Sequence, residues 1–439
     1  MKNLFIVNLI IILIFPVASY TLTLEEAIQK GLENNPELLA QEQSTKSTKL
    51  GYWQSLLNLI PSAKLTGNYT VYDDPTQIGS NYIDESRSYG YSVTQAIFNG
   101  GSIWLGSRLS HDQYKISQEN LKNQRLNTIT EIKIKYFSVL ENKALWEIAR
   151  KRLQNSRTNL EIAEMQYESG TLSQADYLNL QAETAGNEVS FLQFQNLYEI
   201  SLMDLTNYLQ LEKLDAIEEI TIDEYEFILH YLREKELAEL ETIISDIMEI
   251  GLENNPNLKI SALGVASSKK NLIMAGGNLL PSVNLQYSRN WLKYDFNDDY
   301  NSNGQLGINF SLPIFPLCDN GMQVSRANFD LKQAKYNLVS AENNIELALR
   351  SSLLNLITSA KIVYSADLAK QYAMETYLQM QERFTSNLIS SNDLLSAEIM
   401  YSSAQNQYIS SFYDFLRAEA ALMQQMGIET ENILIKYIK

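Results

Sequence analysis

The feature that most constrains the fold is a segment that occurs twice. Residues 31–36 read Gly-Leu-Glu-Asn-Asn-Pro, and the same segment returns at 251–256, 220 positions later. Further matches follow in the same order, at offsets of 220 or 217: residues 58–62 with 278–282, 97–98 with 314–315, and 167–178 with 384–395. Asn-Pro is common in turns, but ordered matches at a nearly constant offset mark an internal repeat. The sequence therefore predicts two copies of one supersecondary unit.

The first residues predict export. Lys2 precedes an apolar run over 4–17, and small residues follow as far as Ser19. This is the pattern of a secretory signal peptide over 1–19. A membrane-anchoring helix is the alternative, although the run is short for a membrane span. No later stretch predicts a transmembrane helix, so any insertion into a membrane has to use strands.

Charge and residue usage disfavour several function classes. The formal net charge of −17 disfavours a nucleic-acid partner. With a single cysteine, Cys318, and two histidines, His111 and His230, the chain can form no internal disulfide and offers no zinc or thiol site. It contains no nucleophile elbow, phosphate-binding loop or dinucleotide fingerprint. We therefore predict neither an enzyme nor a metal or other cofactor.

Each copy begins with a helix and continues with two strands. The first helix, over 24–57, is predicted to break at Asn35-Pro36, because proline lacks an amide hydrogen and starts a new helical piece. Period-two alternation then marks four strands of about ten residues, near 62–72, 88–97, 282–291 and 305–314. Ten residues suit a tilted membrane strand. On the strands alone, a soluble sheet with one wet face is an equal alternative.

One face of these strands is apolar and is expected to meet lipid. The residues expected there include Tyr69, Tyr91, Leu285, Trp291 and Ile308. The opposite face carries Ser, Thr, Asn and Gln, which suits a wet interior. The segments 73–86 and 293–303 are polar and acidic, and we expect them to be long external loops.

Long helices follow the strands. The segment 102–167 alone corresponds to about 100 Å of helix. Apolar residues recur at seven-residue intervals, with Lys370 as a polar exception: Ile132, Val139, Trp146, Leu153, Leu160 and Tyr167, then Leu349, Leu356, Val363, Tyr377 and Phe384. Sustained heptads predict coiled-coil packing. An amphipathic helix on an ordinary core is the alternative, and it would drift at 3.6 residues per turn.

Tight turns and half-length helices complete each copy. The turns are expected at 168–172 and 385–389, where Gly170 and Asn387 suit a left-handed helix stop. The half-length helix 173–209 and the first helix 24–57, stacked end to end, would match the long helix. Between the copies, 210–240 is either a flexible acidic linker or a small packed belt. Its regularly spaced apolar residues favour the belt, which the tail 428–439 is expected to join.

Four strands cannot close a barrel, and an open edge cannot lie in lipid. Closure therefore needs further copies of the chain. Two chains would give eight strands with a filled interior, and three would give twelve strands with room for water. Long helices that continue from the strands would extend this lumen, so the expected object is a tube.

The sequence resembles the TolC-type outer-membrane efflux proteins of Gram-negative envelopes. The resemblance covers nearly all of the mature chain. It rests on the repeated Asn-Pro start, the Leu-x-Pro entry to the strands at Leu59 and Leu279, and the series Tyr167, Gly170 and Asp176 at the helix turn. It implies a membrane α+β fold in which a homotrimer forms a twelve-stranded transmembrane β-barrel, continued by a long periplasmic α-helical coiled-coil barrel.

The resemblance also implies a function and its partners. The expected function is a passive exit duct in the cell outer membrane, part of a tripartite efflux or type I secretion system. Its partners would be a periplasmic adaptor protein, an inner-membrane pump and outer-membrane lipid. The rival interpretation is a non-channel coiled-coil envelope protein whose strands form a soluble sheet. The expected division is a signal peptide 1–19, a first repeat 20–209, an equatorial linker 210–240, a second repeat 241–427 and a tail 428–439.

Candidate site residues lie at the helix turns. Asp393, Asp176, Phe384, Tyr167 and Ser396 are expected at the periplasmic tip and gate. Adaptor docking is expected at Gly170, Thr171, Leu172, Ser173, Asn387, Leu388, Ile389 and Ser390. The family often has a tyrosine, an arginine and a second aspartate where Phe384, Ile389 and Ser396 stand here. A polar lock built from those groups is therefore not expected in this form.

Overall fold

The computed structural model describes residues 21–214, 216–234, 240–295, 298–312, 314, 317–386 and 388–429. The first part of the chain forms β1 (Thr21–Leu22), α1 (Leu24–Asn34), α2 (Pro36–Leu57), β2 (Ser62–Ile78), β3 (Asn81–Asn99), α3 (Ser102–Glu168) and α4 (Gln174–Tyr208). A connecting region contains β4 (Ala216–Ile217), a 3-10 helix (Ile222–Tyr225) and α5 (Glu226–Glu234). The second copy contains α6 (Leu240–Asn254), α7 (Pro256–Gly277), β5 (Ser282–Tyr294), β6 (Asn301–Ser311), α8 (Leu317–Thr385) and α9 (Ser391–Met426). The predicted signal peptide and most of the predicted tail lie outside the described residues.

The repeated Asn-Pro pair starts a helix in both copies. The side chain of Asn35 accepts hydrogen bonds from the backbone amides of Glu37 and Leu38, both at 3.0 Å, and Pro36 is the first residue of α2. Asn255 caps α7 in the same way. An asparagine cap satisfies amides that would otherwise lack partners, and proline costs nothing at the first helical position. The predicted helix break is therefore present in both copies.

The repeated glycine lets the short helices approach the long ones. A Cβ atom on Gly31 would collide with the side chain of Ile132 on α3. A Cβ atom on Gly251 would collide with Leu349 on α8 in the same way. Ile132 and Leu349 hold equivalent places in the two copies, so one close contact explains why both glycines are present.

The half-length helices end against these junctions. The side-chain amide of Asn255 donates a hydrogen bond of 2.9 Å to the carbonyl oxygen of Gln425, near the end of α9. Gly427 then turns with φ of 73° beside the backbone of Asn254. In the first copy, Leu209, which follows α4, packs near Gly31. The predicted end-to-end stacking is therefore observed in both copies.

The four long strands form one antiparallel sheet in the order β2-β3-β5-β6. The prediction of a long loop over 73–86 is wrong, because β2 and β3 continue through these polar residues to a turn at Gly79, where φ is 65°. The second connection is also shorter than predicted, since β5 ends at Tyr294 and β6 begins at Asn301. The hydrogen bonds between paired strands join backbone groups. Polar side chains therefore do not prevent the two strands from continuing as a hairpin.

The seven-residue pattern of the long helices marks their buried face. Ile132, Val139 and Leu153 on α3 are buried, as are Leu349 and Leu356 on α8. The polar exception, Lys370, places its ammonium group 3.6 Å from the ring centre of Tyr408 and pairs with Asp367 at 2.7 Å. The aliphatic part of lysine can pack while its charge keeps a partner, so this position stays within the coiled coil.

The segment between the copies packs as a belt, which we define as β1, β4, the 3-10 helix and α5. Strands β1 and β4 pair in parallel. The hydroxyl of Tyr136 on α3 donates to the carbonyl oxygens of Leu22 and Glu218, at 3.0 and 2.8 Å. Ile217 of β4 is buried in the same apolar core as Tyr136. Among the described residues, no helix has the length and hydropathy of a membrane span.

Candidate functional site

We define the tip as the two turns that follow the long helices, with the adjoining helix ends. After α3, Gly170 adopts φ of 76°, and the amides of Thr171 and Leu172 both donate to the carbonyl oxygen of Gln166, at 2.8 and 3.1 Å. After α8, the amide of Leu388 donates to the carbonyl oxygen of Arg383 at 2.9 Å. The left-handed stop predicted at Gly170 is confirmed, whereas Asn387 lies outside the described residues.

Serine caps begin the half-length helices at the tip. The hydroxyl of Ser390 accepts from the amide of Asp393, and the carboxylate of Asp393 accepts from the amide of Ser390 at 3.2 Å. This arrangement is a capping box. In the first copy the arrangement is only partly formed. Ser173 accepts from the amide of Asp176, but the Asp176 carboxylate accepts from the Ser173 hydroxyl instead of its amide.

Asp176 instead connects the two copies. The second oxygen of its carboxylate accepts a hydrogen bond from the hydroxyl of Ser391, which is fully buried at the start of α9. Beside it, the side-chain amide of Asn179 donates to the side-chain oxygen of Asn392 at 3.4 Å. Hydrogen bonds from Ser173 and then Ser391 hold the pKa of Asp176 below its usual range. We call the Asp176–Ser391 contact the tip clasp.

An apolar cluster lies under the clasp. Phe384 is buried there with Ala163, Leu180, Tyr377 and Leu394. The predicted gate residue Phe384 is thus buried in this cluster, and its role at a gate stays a prediction. Tyr167 is partly exposed and stacks on Tyr177, with ring centres 5.1 Å apart.

The remaining predicted docking residues lie on the outside of the turns. Thr171, Ser173, Leu388 and Ser390 are exposed, whereas Leu172 and Ile389 are partly buried against the apolar cluster. Ser396 is exposed, and its hydroxyl donates to the carbonyl oxygen of Asn392 at 2.7 Å. The structure thus brings the predicted tip residues that it describes into one small region.

The predicted lipid-facing residues share one face of the sheet. Leu285 is opposite Ile308 in the ladder, and Tyr89, the partner of Trp291, stacks on its ring at 5.1 Å. The face is less uniform than predicted, because the register also places Gln95 and Arg289 on it, opposite Leu285 and Tyr91. A bulge after Ala96 aligns Phe98 with Val283 and leaves Ile97 out of the ladder. Period-two counting could not locate that bulge.

Comparison with known proteins identifies the family. A family model described as Outer membrane efflux protein matches residues 27–209 and 248–428. The chain belongs to this family. Its outer-membrane relatives include the Outer membrane protein TolC of Salmonella enteritidis, which is 22% identical over 450 residues, covering 96% of this chain and 85% of that protein. Membership places this chain among the transport proteins of the outer membrane.

Solved structures share the fold of this efflux-family chain. The outer membrane channel CmeC of Campylobacter jejuni matches with a TM-score of 0.77 at 15% identity, covering 94% of this chain and 89% of that one. A structure of CusC matches with a TM-score of 0.80 at 14% identity, covering 92% of each chain. The predominantly helical fold with an accompanying sheet, as predicted, is therefore the fold of these proteins.

This efflux-family chain also has a buried polar group that the sequence analysis missed. Glu398 on α9 is only 4% exposed and lies 3.7 Å from the guanidinium of Arg152 on α3, which also pairs with Glu183 on α4 at 2.5 Å. Burial raises the pKa of Glu398 to about 7, although Arg152 opposes the shift. Heptad spacing could have indicated that this position is buried, because Glu398 lies seven residues after Ser391 and on the same heptad row as Phe412.

Proposed function

We propose that this chain is an exit duct of the outer membrane, a passive conduit in a tripartite efflux or type I secretion system. The observation that carries the proposal is a four-stranded sheet whose outer edges, β2 and β6, pair with no other strand of the described residues, beside helices long enough to continue a tube. An open strand edge has unpaired backbone groups, which lipid cannot satisfy. Pairing β6 of one chain with β2 of the next closes the sheet.

Three chains suit this closure. Twelve strands leave a water-filled interior, whereas eight strands leave space only for side chains. The family assignment and the channel structures of similar fold support the same arrangement. In this proposal Tyr69, Tyr91, Leu285, Trp291 and Ile308 face outer-membrane lipid, and the helical part extends into the periplasm.

We assign the tip to gating and docking. The exposed turn residues Thr171, Ser173, Leu388 and Ser390 would meet a periplasmic adaptor protein, through which the duct reaches an inner-membrane pump. The tip clasp between Asp176 and Ser391 takes the place of a lock that uses arginine and tyrosine. The chain then divides as a signal peptide over 1–19, a first repeat over 20–209, an equatorial linker over 210–240, a second repeat over 241–427 and a tail over 428–439.

Planar-bilayer conductance of the purified protein tests the duct. We expect discrete conductance steps from a species that native mass spectrometry in detergent identifies as three chains. Variants with arginine at Leu285 or Ile308 should fail to insert, because a midplane arginine on the lipid face costs about 2–4 kcal/mol. A three-chain species that inserts without conducting, or a stable single chain, would favour the non-channel envelope protein.

A further inference from the structure

The long helices α3 and α8 have equivalent rows of residues, and these two rows differ in whether another helix packs on them. On α3, Leu105 and Asp112 are only 8% and 7% exposed. The carboxylate of Asp112 pairs with the ammonium group of Lys270 on α7 and accepts from the hydroxyl of Ser267 at 3.4 Å. Helix α7 of the second copy therefore covers this row of the first copy, with an ion pair at its centre. We call this contact the inner seam.

The matching row of α8 is uncovered. The residues 217 positions after Leu105, Asp112 and Glu119 are Met322, Phe329 and Tyr336. They are 67%, 65% and 76% exposed. Three large side chains at seven-residue spacing form an apolar stripe, which is the pattern of a helix that lacks its partner.

The repeat identifies the helix that should cover this stripe. The counterpart of α7 in the first copy is α2, and α2 of the same chain already packs on α3, where the Thr45 hydroxyl donates to the carbonyl oxygen of Ser117 at 3.1 Å. The residues of α2 that correspond to Lys270 and Gly277 are Leu50 and Leu57. Both leucines are exposed. An apolar row on α2 therefore matches the apolar stripe on α8.

We propose that Leu50 of one chain packs on Phe329 of the next, in an outer seam that is the apolar counterpart of the inner seam. Met322 and Tyr336 extend the contact on α8, and Leu57 extends it on α2. The proposal rests on the ring of chains proposed above, and it specifies which helix faces join the chains.

The inner seam contains an ion pair and the outer seam is apolar. Because of this difference, neither set of partners can replace the other. Placing Leu50 against Asp112 would bury a carboxylate without its cation, and placing Lys270 against Phe329 would bury an ammonium group without its anion. Removing one partner of a buried pair is strongly unfavourable because the remaining charge is uncompensated. The sequence thus fixes which seam forms within a chain and which forms between chains.

Disulfide cross-linking tests the outer seam. In a Cys318→Ser background, the pair Leu50→Cys and Phe329→Cys should oxidise to covalent products of two and three chains on a non-reducing gel. The matched control replaces Phe329→Cys by Lys335→Cys. Lys335 is exposed on α8. Its counterpart on α3, Gln118, stays exposed even though α7 covers the neighbouring row of α3, so position 335 is expected to lie outside the seam. The control pair should give no covalent products.

Charge complementation provides a second test that does not depend on oxidation. Phe329→Asp should reduce the trimer fraction on dilution by roughly tenfold, because its carboxylate faces Leu50. Combining Phe329→Asp with Leu50→Lys recreates the inner-seam pair, and it should restore trimer to within about threefold of wild type. Phe329 is exposed in the single chain, so circular dichroism should show normal helix content in every variant.

The outcomes separate this inference from the proposed function. Trimeric wild type without a Leu50–Phe329 cross-link would overturn the outer seam and leave the duct intact. Failure of Leu50→Lys to rescue Phe329→Asp would count against the seam in the same way. A wild-type chain that stays single in native mass spectrometry would overturn the ring and the seam together.

Discussion

The belt end and the tip end of the long helices are held together by different interactions. Near the belt, 27 buried apolar residues among those described form one continuous core, which includes Tyr136 and Phe415. At the tip, the apolar cluster contains five buried residues. This cluster contains residues of both copies, which are also joined there by the tip clasp and by the weaker contact between Asn179 and Asn392.

This difference indicates where the molecule can move. Opening the belt would expose a large apolar surface to water, and this exposure costs about 25 cal/mol of free energy for each Å². Opening the tip would break a few hydrogen bonds, each worth about 0.5–1.5 kcal/mol net, and would expose only the small apolar cluster under the clasp. Elements that move are drawn from regions of low local stability. The belt should therefore act as the fixed end of the proposed tube and the tip as the end that changes.

The largest expected effect is at the belt. Ile132→Ala removes a fully buried side chain that packs against Gly31, and it should lower the free energy of unfolding by about 2–5 kcal/mol. Denaturant unfolding in detergent, followed by helical circular dichroism, measures the change. The control is Ile273→Ala, since Ile273 is exposed on α7. Equal effects of the two substitutions would contradict the assignment of the belt as the stable end.

Glu398 lies between the belt and the tip and should make stability depend on pH. Its pKa of about 7 exceeds the ordinary value of 4.5, so between these pH values the folded chain holds a proton that the unfolded chain loses. The free energy of unfolding should therefore fall as pH rises from about 4.5 to 7, by about 3 kcal/mol, and stay level above. Glu398→Gln should remove this fall.

The measurement for Glu398 is a set of unfolding curves between pH 4.5 and 8. Its control is Glu375→Gln, because Glu375 is exposed on α8. The difference between Glu398→Gln and wild type should grow with pH and be largest above pH 7. A difference that is the same at every pH would show that the glutamine acts through packing and not through the lost charge.

Heptads, caps and the Asn-Pro repeat made most of the helical fold predictable, because each has a local physical cause. The seven-residue spacing alone predicts that Ile132 and Leu349 lie on the buried faces of their helices. The length of the first hairpin did not follow, since its polar residues over 73–86 pair through the backbone. The partner of Asp176 was also missed, because Ser391 is 215 positions away and carries no motif.

The tip clasp should give a smaller and local effect. Asp176→Asn removes a charged acceptor of two serine hydroxyl bonds, so opening at the tip should become easier by about 1 kcal/mol. Hydrogen exchange read by mass spectrometry should rise over 168–180 and 388–396 and stay constant near the belt. Because the pKa of Asp176 is lowered, acid should weaken the clasp in wild type. The control is Asp414→Asn, on the exposed side of α9.

The smallest expected change in stability concerns Asp393, whose capping box is present in the structure. Ser390 is the helix cap and Asp393 is the third helical residue, where an asparagine oxygen can still accept from the Ser390 amide. Asp393→Asn should therefore change the free energy of unfolding by only about 0.5 kcal/mol, mainly through the lost attraction between the carboxylate and the helix N-terminus. The exposed carboxylate has a second role if three tips meet, because three Asp393 side chains would then form a ring that favours cations. Loss of that ring would leave the trimer intact and shift the reversal potential in a salt gradient towards anions. The shift should be largest at low salt, where screening is weakest, and modest in size, because Ser396 provides no second ring. If the reversal potential of Asp393→Asn equals that of wild type at low salt, Asp393 is a capping residue alone, and the tip discriminates between ions by other groups.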